Sequence, residues 1–564
     1  MVVFPLFMTD KYYNIQSTKM YFYLYSTITA TVLVAVCILF GKITGKWDDA
    51  GKKDGAREKK AGAVQNKAAV WSRIKAAMLP ADLFAALFLL VIALSTAGSE
   101  WRYEAFWGNM GRSQGCFLWI WYFSTYLMIS RFYEVRKWHI DLFLAASLVV
   151  CIWGILDCFW MSPFHWQELH ENGNEKAFDF SSTIGNVNIL TGLEGIYLAV
   201  ASTMFIGEQQ QSAVSAARKV FYFAASCAAF MALVCGLSDN AMISVAAVIC
   251  FLPFYAFGQR CGIVKYLMLL AGYLLTMILT GHIAAREGQR IIMRRKWGQL
   301  LKVSVDHTPG LEKLLIVLIV LIITAGIGTV LYHRRRGGSG SLLHDDVLPS
   351  EALTRRLRII WALLGTAAAA AVIYVFYDAN TGGHPDLYAP YRKFLVFSDS
   401  WGTHRGYNWK LALKYFRDFP IWKKLFGSGP ETYAIYTHVY DHYEMMDMFS
   451  ETYDSPHNEW LQYLFTTGIL GFVGYYGMVI SGMAAGWTAG RKDKHQVLQS
   501  AGPETGGTGA LPEYVLQQKG QIGAAFAYGV LAYTLQSFVN ISVPITVPYV
   551  IMGIAVCASL YRCE

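Results

Sequence analysis

Apolar residues in this chain gather into runs about as long as a bilayer's hydrocarbon core requires, roughly 20 residues each, and short polar segments separate them. The runs lie at 20–40, 81–97, 115–130, 140–162, 187–206, 220–237, 241–257, 266–283, 314–331, 359–377, 457–480, 521–539 and 547–561. Each is continuous over a helix-length window, so the pattern predicts about thirteen spans and an all-α, polytopic transmembrane helical bundle. A membrane β-barrel would instead alternate within segments of about ten residues. The first run follows Lys11 and Lys19 but is too long for a signal-peptide core, and no clean cleavage site follows it, so it is expected to remain as a span. The pattern breaks at 378–456, a long polar and aromatic segment. The expected division is therefore 1–80 (a first span and a basic loop), 81–377 (bundle), 378–456 (one large outer loop) and 457–564 (C-terminal spans).

Composition sharpens this picture. Of 564 residues, 55% are hydrophobic and 15% charged, where a soluble domain carries about 25% charged. Lysine and arginine set the expected orientation. The 41–80 loop holds ten of them (Lys42, Lys46, Lys52, Lys53, Arg57, Lys59, Lys60, Lys67, Arg73 and Lys75) and should face the cytoplasm. Alternation from there leaves two basic outer segments, 284–313 and 378–456. Long outer loops escape the charge rule by length alone; alternatively, these cations face an anionic ligand. The net charge of +9 fits topology and contact with anionic lipid rather than nucleic acid. The ten cysteines are scattered with no CxxC pair and none in the 378–456 loop, which argues against a disulfide framework or a zinc site.

Candidate chemistry concentrates in the outer loop. Ser455-Pro456-His457 precedes an apolar run and reads as a helix start, with Ser as cap and Pro at the first helical position. His457 would then sit in the first turn, where the positive end of the dipole favours a neutral imidazole and a neighbouring anion. Arg405, followed by Trp409, Ala412, Leu413 and Phe416, would begin an amphipathic helix along the membrane surface and could grip phosphate oxygens with its planar fork. Gly427-Ser428-Gly429-Pro430 is a tight turn that could cradle phosphate. Tyr433, Tyr436, Tyr440, Tyr443 and Tyr453, with Glu431, Asp441, Glu444, Asp447 and Glu451, form either a sugar-binding surface or an ordinary packed cap. His438 and His442 are spaced for a metal, but the HExxH pattern is missing. Plainer readings stand beside these: an interfacial histidine, and an arginine anchoring lipid head groups.

Taken together, these residues resemble the O-antigen ligase and polymerase superfamily. His457-Asn458 followed by Gly468 and Gly471 is similar to the pattern that closes the family's large outer loop. Arg405, Trp409, Pro420, Gly427, Gly429 and Pro430 resemble its Arg-Trp-Pro-GxGP segment. Gly111-Arg112-Ser113-Gln114-Gly115 and Gly185-Asn186-Val187-Asn188 resemble its two short outer turns. The chain departs from the family in its extra first span and in Ser238-Asp239-Asn240, where the family's common Ser-Arg pair would place an arginine. Arg286, Arg290, Arg294 or Arg295 could substitute.

The resemblance implies a GT-C-like membrane glycosyltransferase in the cytoplasmic (inner) membrane, working at its outer face on an undecaprenyl-diphosphate-linked glycan. The acceptor would be a glycan, lipid or protein, and no metal or nucleotide cofactor is implied. Its implied site has His457 as general base and Arg405, with Arg112 and Arg290, on the leaving diphosphate. Asn186, Asn188 and Asn458 would orient hydroxyls or the histidine, and Gly427, Gly429 and Glu431 would contact substrate. Ligase and polymerase are not separated by the sequence. A rival class, a lipid-linked glycan flippase or exporter, would use Asp157 and Glu194 for ion coupling, but paired halves are not visible.

Overall fold

The computed structural model describes residues 1–10, 14–43, 78–109, 112–159, 161, 182–209, 212–236, 238–286, 308–335, 351–489 and 513–562. Among the described residues, the thirteen apolar runs fall largely within helices: ten helices are long and apolar enough to cross a membrane, and Cys116–Phe132, Thr308–Arg335 and Val547–Arg562 carry the other three runs. No strand occurs among the described residues. The protein is an all-α, multi-pass membrane bundle.

Lipid is as apolar as leucine, so helix association here depends on close approach and on hydrogen bonds averaging about 0.6 kcal/mol each. The Val187–Gly207 helix is the centre of the bundle. It is buried along its whole spanning length and packs against Ala213–Gly236, Asp239–Ala256 and Glu513–Gln536. Small residues permit this: a Cβ on Gly195 would stand 2.5 Å from Ser244 Oγ. At the periphery, Thr308–Arg335 packs on Gly262–Arg286, and the apolar window of Glu351–Asn380 buries none of its residues.

The first run forms the helix Ile15–Ile43, packed on Cys116–Phe132. Lys19, read in the sequence as a flank, lies inside this helix. Its buried ammonium donates to the carbonyls of Phe4, Pro5 and Phe7 at 3.3, 2.8 and 2.9 Å.

The loops predicted to share a side do share an end. At one end Arg112 meets Asp454, Arg405 meets Asp239, and Asn240 and Asn540 both donate to the Asn188 carbonyl. At the other, Asp82 binds Tyr126, Arg131 and Arg562, Asp141 binds Arg218, and Glu208 binds Lys137. The 378–458 segment folds as a cap over the first end, with small cores around Phe419, Tyr433, Tyr436 and Phe465 and around Tyr407, Leu411 and Met445. Residues 337–341 and 500–512 and most of the basic 284–313 segment, Arg290 included, lie outside the described residues.

Candidate active site

The 457–480 run is not one rod. The helix Glu459–Thr488 breaks at Gly468, whose φ of 66° and ψ of −171° are not helical. Glu459 and Tyr475 would be about 24 Å apart in a straight helix at ~1.5 Å per residue, yet their side chains share a 2.9 Å hydrogen bond. The rings of Tyr463 and Tyr475 lie 4.2 Å apart, tilted by 40°. The short arm Glu459–Thr467 is therefore folded back against the long arm that follows.

Breaking a helix strands its last carbonyls, which need other donors. Phe465 and Thr466 receive them from the backbone amides of Ser428 and Gly429, at 3.2 and 3.0 Å, and Ser95 Oγ also donates to Thr466 at 2.9 Å. The Gly427–Pro430 turn thus spends these amides on bracing the break, where the sequence suggested a phosphate cradle. Only glycine fits there. A Cβ on Gly427 (φ 84°) would lie 2.2 Å from the Thr466 carbonyl, and one on Gly468 would lie 2.4 Å from that of Leu425.

The break also fixes where His457 stands. The helix cap is Asn458, whose side chain accepts from Leu461 N at 3.0 Å. Ser455, expected as the cap, instead accepts from His457 N at 3.2 Å. His457 therefore precedes the helix, in left-handed backbone with φ 50°. Burial, then the charges of Arg112 and Arg405, pull its pKa down to about 4, against weaker opposition from Asp454 and Glu451.

Both arginines are engaged. Arg112 donates from Nε and Nη2 to the two Asp454 oxygens at 2.9 and 2.6 Å. Arg405 Nη1 donates to Asp239 at 2.6 Å and to the Gly402 carbonyl at 3.1 Å, while its buried Nε meets no partner. In each pair the carboxylate is the exposed member: Asp454 and Asp239 are 58% and 52% accessible, against 11% and 7% for their arginines.

Residues 313–476 match the family model described as O-antigen ligase. The match covers less than a third of the chain, and over that segment the chain is similar to the O-antigen ligase family. No curated protein matches the chain. The matched segment contains Arg405, the glycine turn, His457 and the break at Gly468.

At this end of the bundle the other expected residues divide. Asn186 caps the central helix, accepting from Asn188 N and Ile189 N at 2.9 and 3.2 Å. Asn188 gives its carbonyl to Asn240 and Asn540 at 2.8 and 3.0 Å, a seam joining three helix ends. Glu431 lies in left-handed backbone (φ 61°) and is buried; burial lifts its carboxyl to about 7, with Arg112 opposing. Ser113, Thr403 and His404 are also left-handed, so strained backbone of order 1–3 kcal/mol per residue flanks Arg112, Arg405 and His457.

Of the Trp409-Ala412-Leu413-Phe416 face expected at the membrane surface, Ala412 is buried in the cap and Phe416 packs against its core, while Leu413 is exposed; Tyr407, Asn408 and Leu411 are buried on the same helix. Tyr433 and Tyr436 are core residues of the cap, and Tyr443 is exposed. Asp157 accepts from Ser182 N at 2.8 Å, while neither Glu194 oxygen meets a hydrogen-bond partner. Sequence reading missed Asp454 as a partner of Arg112: the two are separated by 342 positions, and no local pattern links them.

Proposed function

We propose that this chain, with its O-antigen-ligase-like segment, transfers or polymerises a glycan from an undecaprenyl-diphosphate carrier at the outer face of the cytoplasmic membrane. One observation carries the reading: His457 stands within the fields of Arg112 and Arg405, at the end of the bundle opposite the start of the Pro80–Gly98 helix, which follows the ten cations of the 41–80 segment in the sequence. By the positive-inside rule that end faces outward.

An acceptor hydroxyl attacks the anomeric carbon in line. The new C–O bond forms as the bond to the diphosphate oxygen breaks, and the electron pair leaves with the lipid diphosphate. His457 takes the acceptor's proton as general base. Arg405 and Arg112 stabilise the charge growing on the departing group. The diphosphate takes the places of Asp239 and Asp454, which rotate into water while the buried guanidinium groups stay. Its negative charge then cancels the effect of the arginines on His457, so the imidazole becomes a better base when donor is bound. The bundle serves as scaffold, and the 378–456 loop supplies the cap and the arginine.

His457→Ala should abolish transfer while carrier-bound donor accumulates; near-normal transfer removes the base assignment. In reconstituted vesicles, new glycosidic bonds made without ATP or an ion gradient separate the enzyme from an exporter. Shortened surface glycans in cells lacking the protein would indicate polymerisation, and intact glycans left on the carrier would indicate ligation.

A further inference from the structure

The folded-back arm is held at both of its ends. The glycine turn braces the end at Gly468, and a carboxyl holds the end next to His457. Glu459 is 1% exposed, and its two oxygens accept from two different helices. Oε1 takes the Tyr475 hydroxyl of the long arm at 2.9 Å, and Oε2 takes the Tyr533 hydroxyl of Glu513–Gln536 at 2.9 Å. Neither partner is a cation, and no ion pair to Glu459 occurs among the described residues. Burying a carboxyl in a membrane bundle is costly unless polar groups receive it; here two phenols do. Trp460 adds a neighbouring tie, donating from Nε1 to the Thr534 carbonyl at 3.2 Å.

What this clamp fixes is the imidazole. Only Asn458 stands between Glu459 and His457 in the chain. No hydrogen bond to the His457 ring occurs among the described residues, so the backbone sets its place. That backbone is held by the His457 amide on Ser455 Oγ at 3.2 Å and by the Asn458 cap. The arginines whose charges reach the ring arrive on other segments, Arg112 from the turn before Cys116–Phe132 and Arg405 from the cap. The register of base against leaving-group cations therefore depends on where the end of the arm sits. Resting on the glycosyl-transfer reading above, we infer that Glu459 is a positioning residue for transfer. Its two phenol contacts hold the arm so that His457 meets the acceptor hydroxyl while the diphosphate lies on Arg405 and Arg112.

The test compares Glu459→Ala with Glu459→Gln, full chain in reconstituted vesicles with carrier-linked donor. The alanine variant keeps the Trp460 tie and the glycine brace, so the arm stays docked while its end loosens. Its kcat should fall about tenfold to a hundredfold, with KM for the donor within about twofold because both arginines are untouched. The acid limb of kcat/KM should move up from about 4 toward the ordinary imidazole range near ~6.5, as the ring leaves its burial among Arg112, Arg405, Asp454 and Glu451. Glutamine spans the same two phenols. Its oxygen accepts from Tyr475 and its amide donates to Tyr533, whose hydroxyl can turn to Thr546 Oγ1, 3.1 Å away. It should restore the limb and bring kcat to within about threefold of wild type. Tyr475→Phe and Tyr533→Phe should each reproduce part of the alanine effect, so the proposal stays testable if the alanine variant does not fold. A lowered Tm with kcat and the acid limb unchanged in the alanine or both phenylalanine variants would overturn it. Failure of glutamine to restore the limb would overturn it as well. Neither result touches the general-base assignment, which fails only if His457→Ala still transfers.

Discussion

Arg112 holds Asp454 by two hydrogen bonds, 2.9 Å from Nε and 2.6 Å from Nη2. The pair ties the turn before the Cys116–Phe132 helix to the segment that delivers His457. It also means that a diphosphate must compete with a carboxylate already in place. Asp454→Asn removes the competitor's charge, so inorganic pyrophosphate should inhibit the variant several-fold more strongly than wild type. An unchanged inhibition constant would place the diphosphate elsewhere.

The pH profile carries a second expectation. His457 acts as a base only when neutral, and its pKa in the free protein is about 4. The acid limb of kcat/KM, which reports the free enzyme, should therefore fall near that value rather than near the ordinary imidazole range of about 6.5. The limb of kcat should lie higher, because bound diphosphate offsets the arginines. Arg405→Gln removes one depressing charge and should move the kcat/KM limb upward, while lowering kcat by about a hundredfold to a thousandfold.

Glu431 gives a stability test. Its folded pKa, about 7, exceeds the ordinary glutamate value of 4.5, so the folded protein holds the proton more tightly than the unfolded one. That contribution is complete below pH ~4.5 and is lost as pH rises through ~7, a change of about 3 kcal/mol as an order of magnitude. Glu431→Gln should therefore raise Tm relative to wild type at pH ~8 and have little effect at pH ~4.5. Equal effects at both would show that the carboxyl is not held protonated.

The glycine brace is tested by single methyl groups. Gly468→Ala and Gly427→Ala place a Cβ against backbone at 2.4 and 2.2 Å, in left-handed conformations. Each should cost more than about 1–3 kcal/mol and lower both Tm and transfer. Gly365→Ala, in the exposed Glu351–Asn380 helix with nothing within 4 Å, should be neutral or slightly stabilising.

All thirteen helices could be read from the sequence because each apolar run is long enough to demand one. The break inside 457–480 could not. Gly468 lies in an unbroken apolar stretch, where glycine is ordinary in membrane helices, and its cause is the distant Leu425–Gly429 turn pressing against it. Ser455-Pro456 imitates a cap, but the Ser455 hydroxyl serves the His457 amide and leaves capping to Asn458. The pattern after Arg405 suggested a face toward lipid. Ala412 and Phe416 of that face turn instead toward the cap core around Tyr433, which local periodicity cannot foresee. His457 and Arg405 are candidates because imidazole and guanidinium are conspicuous beside apolar runs, and Arg112 enters only through the family resemblance. Their carboxylate partners are ordinary aspartates, recognisable only once the chain has folded.

The bend at Gly468 also sets a height. Thirty residues of unbroken helix would make a rod about 45 Å long, half as long again as the ~30 Å hydrocarbon layer. Its leading end would carry the imidazole far out into bulk water, beyond reach of a phosphate tethered to a lipid tail. On the proposed reading, doubling the rod back on itself lets the same residues fit the layer's thickness and keeps the base level with the place where such a carrier ends.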